Sequence, residues 1–144
     1  MQMQQPTNKD PHERAWVALQ LFGAQALEKV EAELKTAGFP TLEWYDVLWA
    51  LEREGPMRQR DLANHILVAR YSLSRLVDRM EADGLVERKD CVEDARGQMV
   101  HITAAGRDLR KRTWGAYSPA LQGAMGKLSA DEAAQLAALL SKLA

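Results

Sequence analysis

Between Arg58 and Arg79 the chain carries five arginines (Arg58, Arg60, Arg70, Arg75 and Arg79) against two acids, Asp61 and Asp78. The window therefore holds about +3 in a protein whose formal total is −1. Gln59, Tyr71, Ser72 and Ser74 are interleaved with these cations. Guanidinium groups fork onto a guanine edge or a phosphate, and short hydroxyls bond either. A phenol reaches phosphate or packs on a thymine methyl. That mixture suits holding a polyanion and reading its edges, so local charge here outweighs a net total that argues against nucleic acid. Arg70, Ser72, Ser74 and Arg75 are the expected principal contacts, with Tyr71 and Arg79 beside them, while Arg58, Gln59 and Arg60 are expected to grip backbone phosphates. Further along, Arg96 is expected in a minor groove, where the negative potential is strongest over narrow A·T tracts. Asp94 would orient it, and Lys89 adds charge nearby.

Other chemistries find little support. No nucleophile elbow, phosphate loop, paired histidines on a helix or convincing triad occurs, so an enzyme is not expected. His12, His65 and His101 lie far apart and Cys91 is the one cysteine, so neither a metal site nor a disulfide is expected, and no cofactor is implied. No apolar run is long enough for a bilayer and the N-terminal stretch is polar, which predicts a soluble cytoplasmic protein without membrane association.

The elements that must position these residues can be read from periodicity. At 144 residues with 47% hydrophobic content the chain can bury one core, and a single domain is expected over residues 1–144. Pro11 opens a helix running to about Lys35, with Trp16, Leu19, Gly23, Leu27, Val30 and Leu34 on one stripe and Val17, Leu21 and Ala24 on a second. Gly38-Phe39-Pro40 breaks the chain, Thr41 is placed as an N-cap, and Leu42, Tyr45, Leu48 and Trp49 mark a helix to about Glu54. A short helix over Gln59–Ile66, a tight turn, and an amphipathic helix from about Ala69 to Asp83 then compose a helix-turn-helix, with Gly84 as the C′ residue. Strands at 85–89 and 98–103 flank a charged tip, Asp90 to Gly97, as a wing. Thr103 caps the next helix, which is expected to bend at Gly115 and Pro119. Ser129-Ala130-Asp131-Glu132 fits a capping box before a last helix striped with Leu136, Leu139, Leu140 and Leu143.

The fold class expected is therefore mainly α with a small β-hairpin wing: a winged helix-turn-helix at about 41–106, with dimerisation helices at about 11–36 and 107–144. The first and last helices are too apolar to stay uncovered, and a two-fold homodimer with interlocking termini is the economical solution.

Over about half the chain the text resembles the multiple antibiotic resistance regulator (MarR) family. The resemblance lies in Thr41-Leu42-Glu43-Trp44-Tyr45-Asp46-Val47-Leu48, Leu62-Ala63, and the run from Ser74-Arg75-Leu76-Val77-Asp78-Arg79 through Gly84-Leu85-Val86-Glu87-Arg88. Asp94-Ala95-Arg96-Gly97 and Thr103-Ala104-Ala105-Gly106 complete it. The resemblance implies a homodimeric transcription regulator, read here as a repressor, binding a pseudo-palindromic double-stranded DNA operator. It also implies release by a small aromatic or anionic effector held between the dimerisation and DNA-binding parts. A pocket lined by the first, second and fifth helices would draw on Trp16, Trp44, Tyr45, Trp49, Trp114 and Tyr117, with Asp46 and His12 as polar groups, although each ring could equally be core packing. Two departures are visible: Ala95 and Gly97 flank Arg96 where relatives usually carry a second base, and Arg70-Tyr71 is bulkier than usual. Cys91 does not occupy the first-helix position of the oxidant-sensing members. The competing function is a winged-helix module that binds a protein partner without reading DNA. A protein-binding face would favour an apolar anchor, which Arg70, Ser72, Ser74, Arg75 and Arg96 do not supply.

Overall fold

A computed structural model describes residues 10–66, 72–91 and 94–144, the side chains of 94–96 excepted. Pro11, whose missing N–H costs nothing in a first turn, opens α1 (Pro11–Thr36). Gly38 ends that helix with φ +86°. Its N–H donates to the Lys35 carbonyl at 3.0 Å while the Phe39 N–H donates to Leu34 at 2.9 Å, so two otherwise orphaned carbonyls are satisfied. Helix α2 (Leu42–Glu54) starts after Thr41, as expected from the sequence, but the Thr41 hydroxyl makes no capping bond.

After Gly55 and Pro56 comes a two-residue strand, β1 (Met57–Arg58), which the sequence reading did not foresee. Helix α3 (Gln59–Leu62) and a 3-10 turn (Ala63–His65) follow. Helix α4 spans Leu73–Ala82 with Ser72 at the N-cap, so it begins later than the expected Ala69, whose surroundings at 67–71 lie outside the described residues. Gly84, with φ +75°, closes α4: its N–H donates to Glu81 and that of Leu85 to Met80, both at 2.9 Å.

Strands β2 (Val86–Cys91) and β3 (Asp94–Ile102) pair antiparallel from Val86↔Ile102 to Cys91↔Asp94, and β1 joins the far side of β3 through Met57↔Val100. The hairpin is longer than expected. Within the segment Asp90–Gly97, anticipated as a projecting tip, Asp90 pairs with Gln98 and Cys91 with Asp94 across a register shift. Pairing satisfies the backbone at Lys89 and Asp90 while their charged side chains stay exposed, so the ladder continues past the point where the apolar alternation stops.

Thr103 joins the wing to α5 (Ala104–Met125). Its hydroxyl donates to the Gly84 carbonyl at 2.7 Å and accepts the Gly106 N–H at 3.0 Å, so one side chain caps α5 and ties it to the end of α4. A Cβ on Gly106 would collide with the Leu85 carbonyl oxygen and lie 2.8 Å from Ile102 Cγ1, which explains a glycine inside this first turn. Helix α5 continues as one element through Gly115 and Pro119. Helix α6 (Ala130–Leu143) carries the expected capping box: Glu132 N–H to Ser129 Oγ at 3.1 Å, and Ser129 N–H to Glu132 Oε1 at 2.9 Å. These bonds hold the Glu132 carboxyl below its usual pKa.

The chain divides into two compact units, 33–119 and a terminal unit of 1–32 with 120–144. In the central unit Leu48 and Leu51 of α2, Leu62 of α3, Val77 and Met80 of α4, Val86 of β2 and Val100 of β3 form one buried cluster. In the terminal unit α6 has no buried residue. No described helix is long and apolar enough to cross a membrane.

Candidate nucleic-acid interface and ligand cavity

Helix α4 turns Leu76, Val77 and Met80 into the central core and leaves Ser72, Ser74, Arg75, Asp78 and Arg79 exposed. This is the division of faces a recognition helix needs. Arg75 and Arg79, four residues apart, border a depression of about 360 Å³ with Thr41, Glu43 and Trp44 of the α2 start. Arg60 is exposed on α3, and Arg58 lies half-buried on β1 opposite Met99. Lys89 is exposed on β2, with its Nζ 3.6 Å from Glu87. Arg70 and Tyr71 lie outside the described residues. For Asp94 and Arg96 only the backbone is described, on β3.

Gln59, anticipated as a phosphate contact, is engaged within the protein through its side-chain oxygen. It is half-buried, and its side-chain oxygen accepts the Arg88 guanidinium at 3.1 Å. The same guanidinium reaches Asp78 Oδ1 at 2.8 Å, Glu81 Oε1 at 3.1 Å and the Ser74 carbonyl at 3.4 Å, while the Arg88 N–H donates to Glu81 at 2.9 Å. Arg88 thus joins α3, α4 and β2.

A cavity of about 660 Å³ opens in the same unit between α2, the 3-10 turn and α5. Its apolar wall is aromatic. The Tyr45 and Trp114 rings stack with centroids 6.0 Å apart, and Tyr117 meets both edge-on at 5.1 and 5.5 Å. Its other wall is cationic. Arg110 and Arg53 approach the Trp49 ring at 5.2 and 5.8 Å, a cation–π arrangement on one indole.

The two arginines are not equivalent. Glu52 clamps Arg110 through Nε at 2.5 Å and Nη2 at 3.3 Å, and this pairing raises the pKa of the guanidinium further. Among the described residues Arg53 pairs with the exposed Glu54 at 3.0 Å and touches His65 Nδ1 at 3.5 Å. Burial pushes the Tyr45 and Tyr117 phenols up, with Arg110 opposing the shift at Tyr45 and Asp46 adding to it at Tyr117. Both hydroxyls are therefore neutral donors near pH 7. An aromatic floor, two neutral phenols and a guanidinium paired only through one exposed carboxylate among the described residues can hold a flat molecule bearing one negative charge.

Of the residues anticipated for a ligand, Tyr45, Asp46, Trp49 and Trp114 line this cavity. Trp44 does not; it borders the depression beside Arg75, because adjacent helical residues point about 100° apart. His12 and Trp16 line a separate shallow depression on α1, in the terminal unit, where His12 N–H is bonded to Asp10 at 2.9 Å. Arg53, Asn64, His65 and Arg110 were not anticipated as lining residues. One signal was available: Tyr45, Trp49 and Arg53 recur every fourth residue on a single helical face.

Comparison with known proteins agrees with this architecture. Residues 38–97 match the model of the MarR family. The chain is 27% identical over 139 residues, 94% of its length and 89% of the relative's, to the uncharacterized HTH-type transcriptional regulator YkoM of Bacillus subtilis. Sco3205, a MarR family transcriptional regulator from Streptomyces coelicolor solved in complex with DNA, superposes with a TM-score of 0.81 at 23% identity, covering 98% of this chain and 91% of that one. The organohalide-sensing regulator RdhR in its 2,4-dichlorophenol-bound form superposes with a TM-score of 0.78 at 20% identity, covering 99% and 87%. At such identities the structural likeness speaks for the fold alone. The family's proteins are transcription regulators rather than enzymes. With the family model matched at residues 38–97 and the winged-helix architecture built around that stretch, the chain is similar to the MarR family of transcription regulators.

Proposed function

We propose that the chain is a homodimeric repressor that reads a pseudo-palindromic operator with α4 and leaves it when a small aromatic anion enters the cavity between α2 and α5. The observation that carries the effector part is the pairing of a Tyr45–Trp114–Tyr117 aromatic wall with Arg53, whose carboxylate partner among the described residues is the exposed Glu54. The cavity wall includes Asn64 and His65, so a ligand there presses on the segment leading into α4. Ser72, Ser74, Arg75 and Arg79 on α4 would meet the major groove, with Arg58, Gln59 and Arg60 toward the phosphates. Arg70, Tyr71, Lys89, Asp94 and Arg96 would extend the contact. The DNA-bound Sco3205 and the dichlorophenol-bound RdhR support this reading by analogy of fold. For the dimer, the support is apolar surface in the terminal unit, where Trp16 is 64% and Leu143 80% exposed. Such a regulator works where its operator is, in the cytoplasm.

The test is selection of bound sequences from a random DNA pool, followed by titration of the bound winner with benzoate. A two-fold symmetric sequence that benzoate releases is the expected result. Arg53→Met should raise the benzoate concentration needed by about tenfold, the scale of one lost charge-assisted hydrogen bond. Release that is indifferent to Arg53 would remove the cavity from the mechanism, and failure to select any sequence would favour a protein-binding module.

A further inference from the structure

Helix α4 carries two acids, Asp78 and Glu81, on an element that the proposed function presses against a polyanion. Acids facing phosphate weaken binding unless they do something else. Both turn to Arg88, whose side chain is only 18% exposed although it sits on a surface strand. Its guanidinium spends its donors on four acceptors from two other elements: the carboxylates of Asp78 and Glu81, the Ser74 carbonyl, and Gln59 at the head of α3. Arginine's planar fork can serve several acceptors in fixed directions, which a lysine ammonium on a flexible stem cannot.

We propose that Arg88 is a positioning residue for operator recognition: without touching DNA, it fixes the recognition helix α4 against α3 and the wing strand β2, using Asp78 and Glu81 as its anchors. The inference rests on the DNA-binding reading above. Three elements that would touch one duplex are held by one guanidinium, so slackness there shifts base contacts against phosphate contacts. Loose phosphate contacts tolerate such a shift; directed bonds to base edges do not.

The two mechanisms make opposite predictions for Asp78. If the acid only repels phosphate, Asp78→Asn strengthens binding to every sequence. If it anchors Arg88, Asp78→Asn weakens binding to the operator while affinity for scrambled DNA holds or rises. The experiment titrates wild type, Arg88→Lys and Asp78→Asn against the selected operator and a scrambled duplex over a salt series, with circular dichroism recording the folded state of each.

For Arg88→Lys, which keeps the charge, the expected result is about a tenfold loss of operator affinity, comparable to one mismatched base pair, with scrambled-DNA affinity and salt slope retained. Wild-type operator binding by Arg88→Lys would overturn the proposal, since a point charge would then suffice. Equal strengthening on both duplexes by Asp78→Asn would overturn it as well. Should Arg88→Lys fail to fold, Asp78→Asn decides alone, because the Asp78 side chain is 62% exposed and its loss leaves no cavity. A wild-type chain that prefers no sequence would instead overturn the DNA-binding reading itself.

Discussion

The central and terminal units spend their apolar residues in opposite ways. In the central unit Leu48, Leu51, Leu62, Val77, Met80, Val86 and Val100 are all but sealed from solvent, drawn from α2, α3, α4 and the sheet. In the terminal unit Trp16, Phe22, Leu139 and Leu143 remain exposed, and α6 buries none of its residues. One unit finishes its core within a single chain; the other displays surface of the kind a second chain covers in the proposed dimer. Stability of the first should therefore be independent of concentration, and that of the second should follow it.

The largest expected effect lies in the central unit. Gly106→Ala places a methyl group against the Leu85 carbonyl and Ile102, both part of the packed α4–wing–α5 junction. A loss of about 3 kcal/mol in denaturant unfolding is expected, the upper range for overpacking a core. A loss below about 0.5 kcal/mol would mean this junction yields, and the contrast with the terminal unit would weaken.

Next in size is Leu139→Ser. Leu139 is 63% exposed in one chain, so a monomer should tolerate the change within about 0.5 kcal/mol. Sedimentation should nevertheless show a dimer that dissociates at higher concentration than wild type. An unaltered association state would make the exposed apolar face of α6 ordinary surface and break the comparison at its other end.

The smallest effect concerns pH and sharpens the picture of the central unit. Burial raises the Tyr45 and Tyr117 pKa values above the ordinary 10.0, so the unfolded chain ionises first. The stability linked to these phenols is fully present below about pH 10 and is lost as pH rises through their raised values. Phenolate absorbance should accordingly show tyrosines ionising later than in the denatured chain. Titration of every tyrosine at the ordinary value would mean the cavity wall is fully wet.

Much of this is legible in the sequence. Gly38, Gly84 and the Ser129–Glu132 box mark helix ends because the chemistry of capping is local. The inward face of α4 follows from periodicity, whereas on α2 only part of the expected stripe turns inward: Trp49 stays exposed while Val47 and Leu51 are buried. Strand β1 was not legible: two residues after a Gly-Pro break have no periodicity, and Met57 is a strand only because Val100 lies beside it. The length of the wing was misjudged for a related reason, since ladder bonds carried pairing past the last apolar alternation.

The binding residues divide in the same way. A basic helix face and a set of aromatic side chains on α2 and α5 belonged to the sequence by itself, as did the resemblance running from Thr41 to Gly106. Tertiary structure alone decided that Trp49 joins the cavity and Trp44 does not, that Glu52 occupies Arg110 across 58 residues of chain, and that Arg88 gathers Gln59, Asp78 and Glu81. The physical reason is range. Helix propensity and capping act over a turn or two of chain, whereas a guanidinium takes whichever carboxylates the folded backbone brings within about 3 Å, and sequence spacing does not encode that distance.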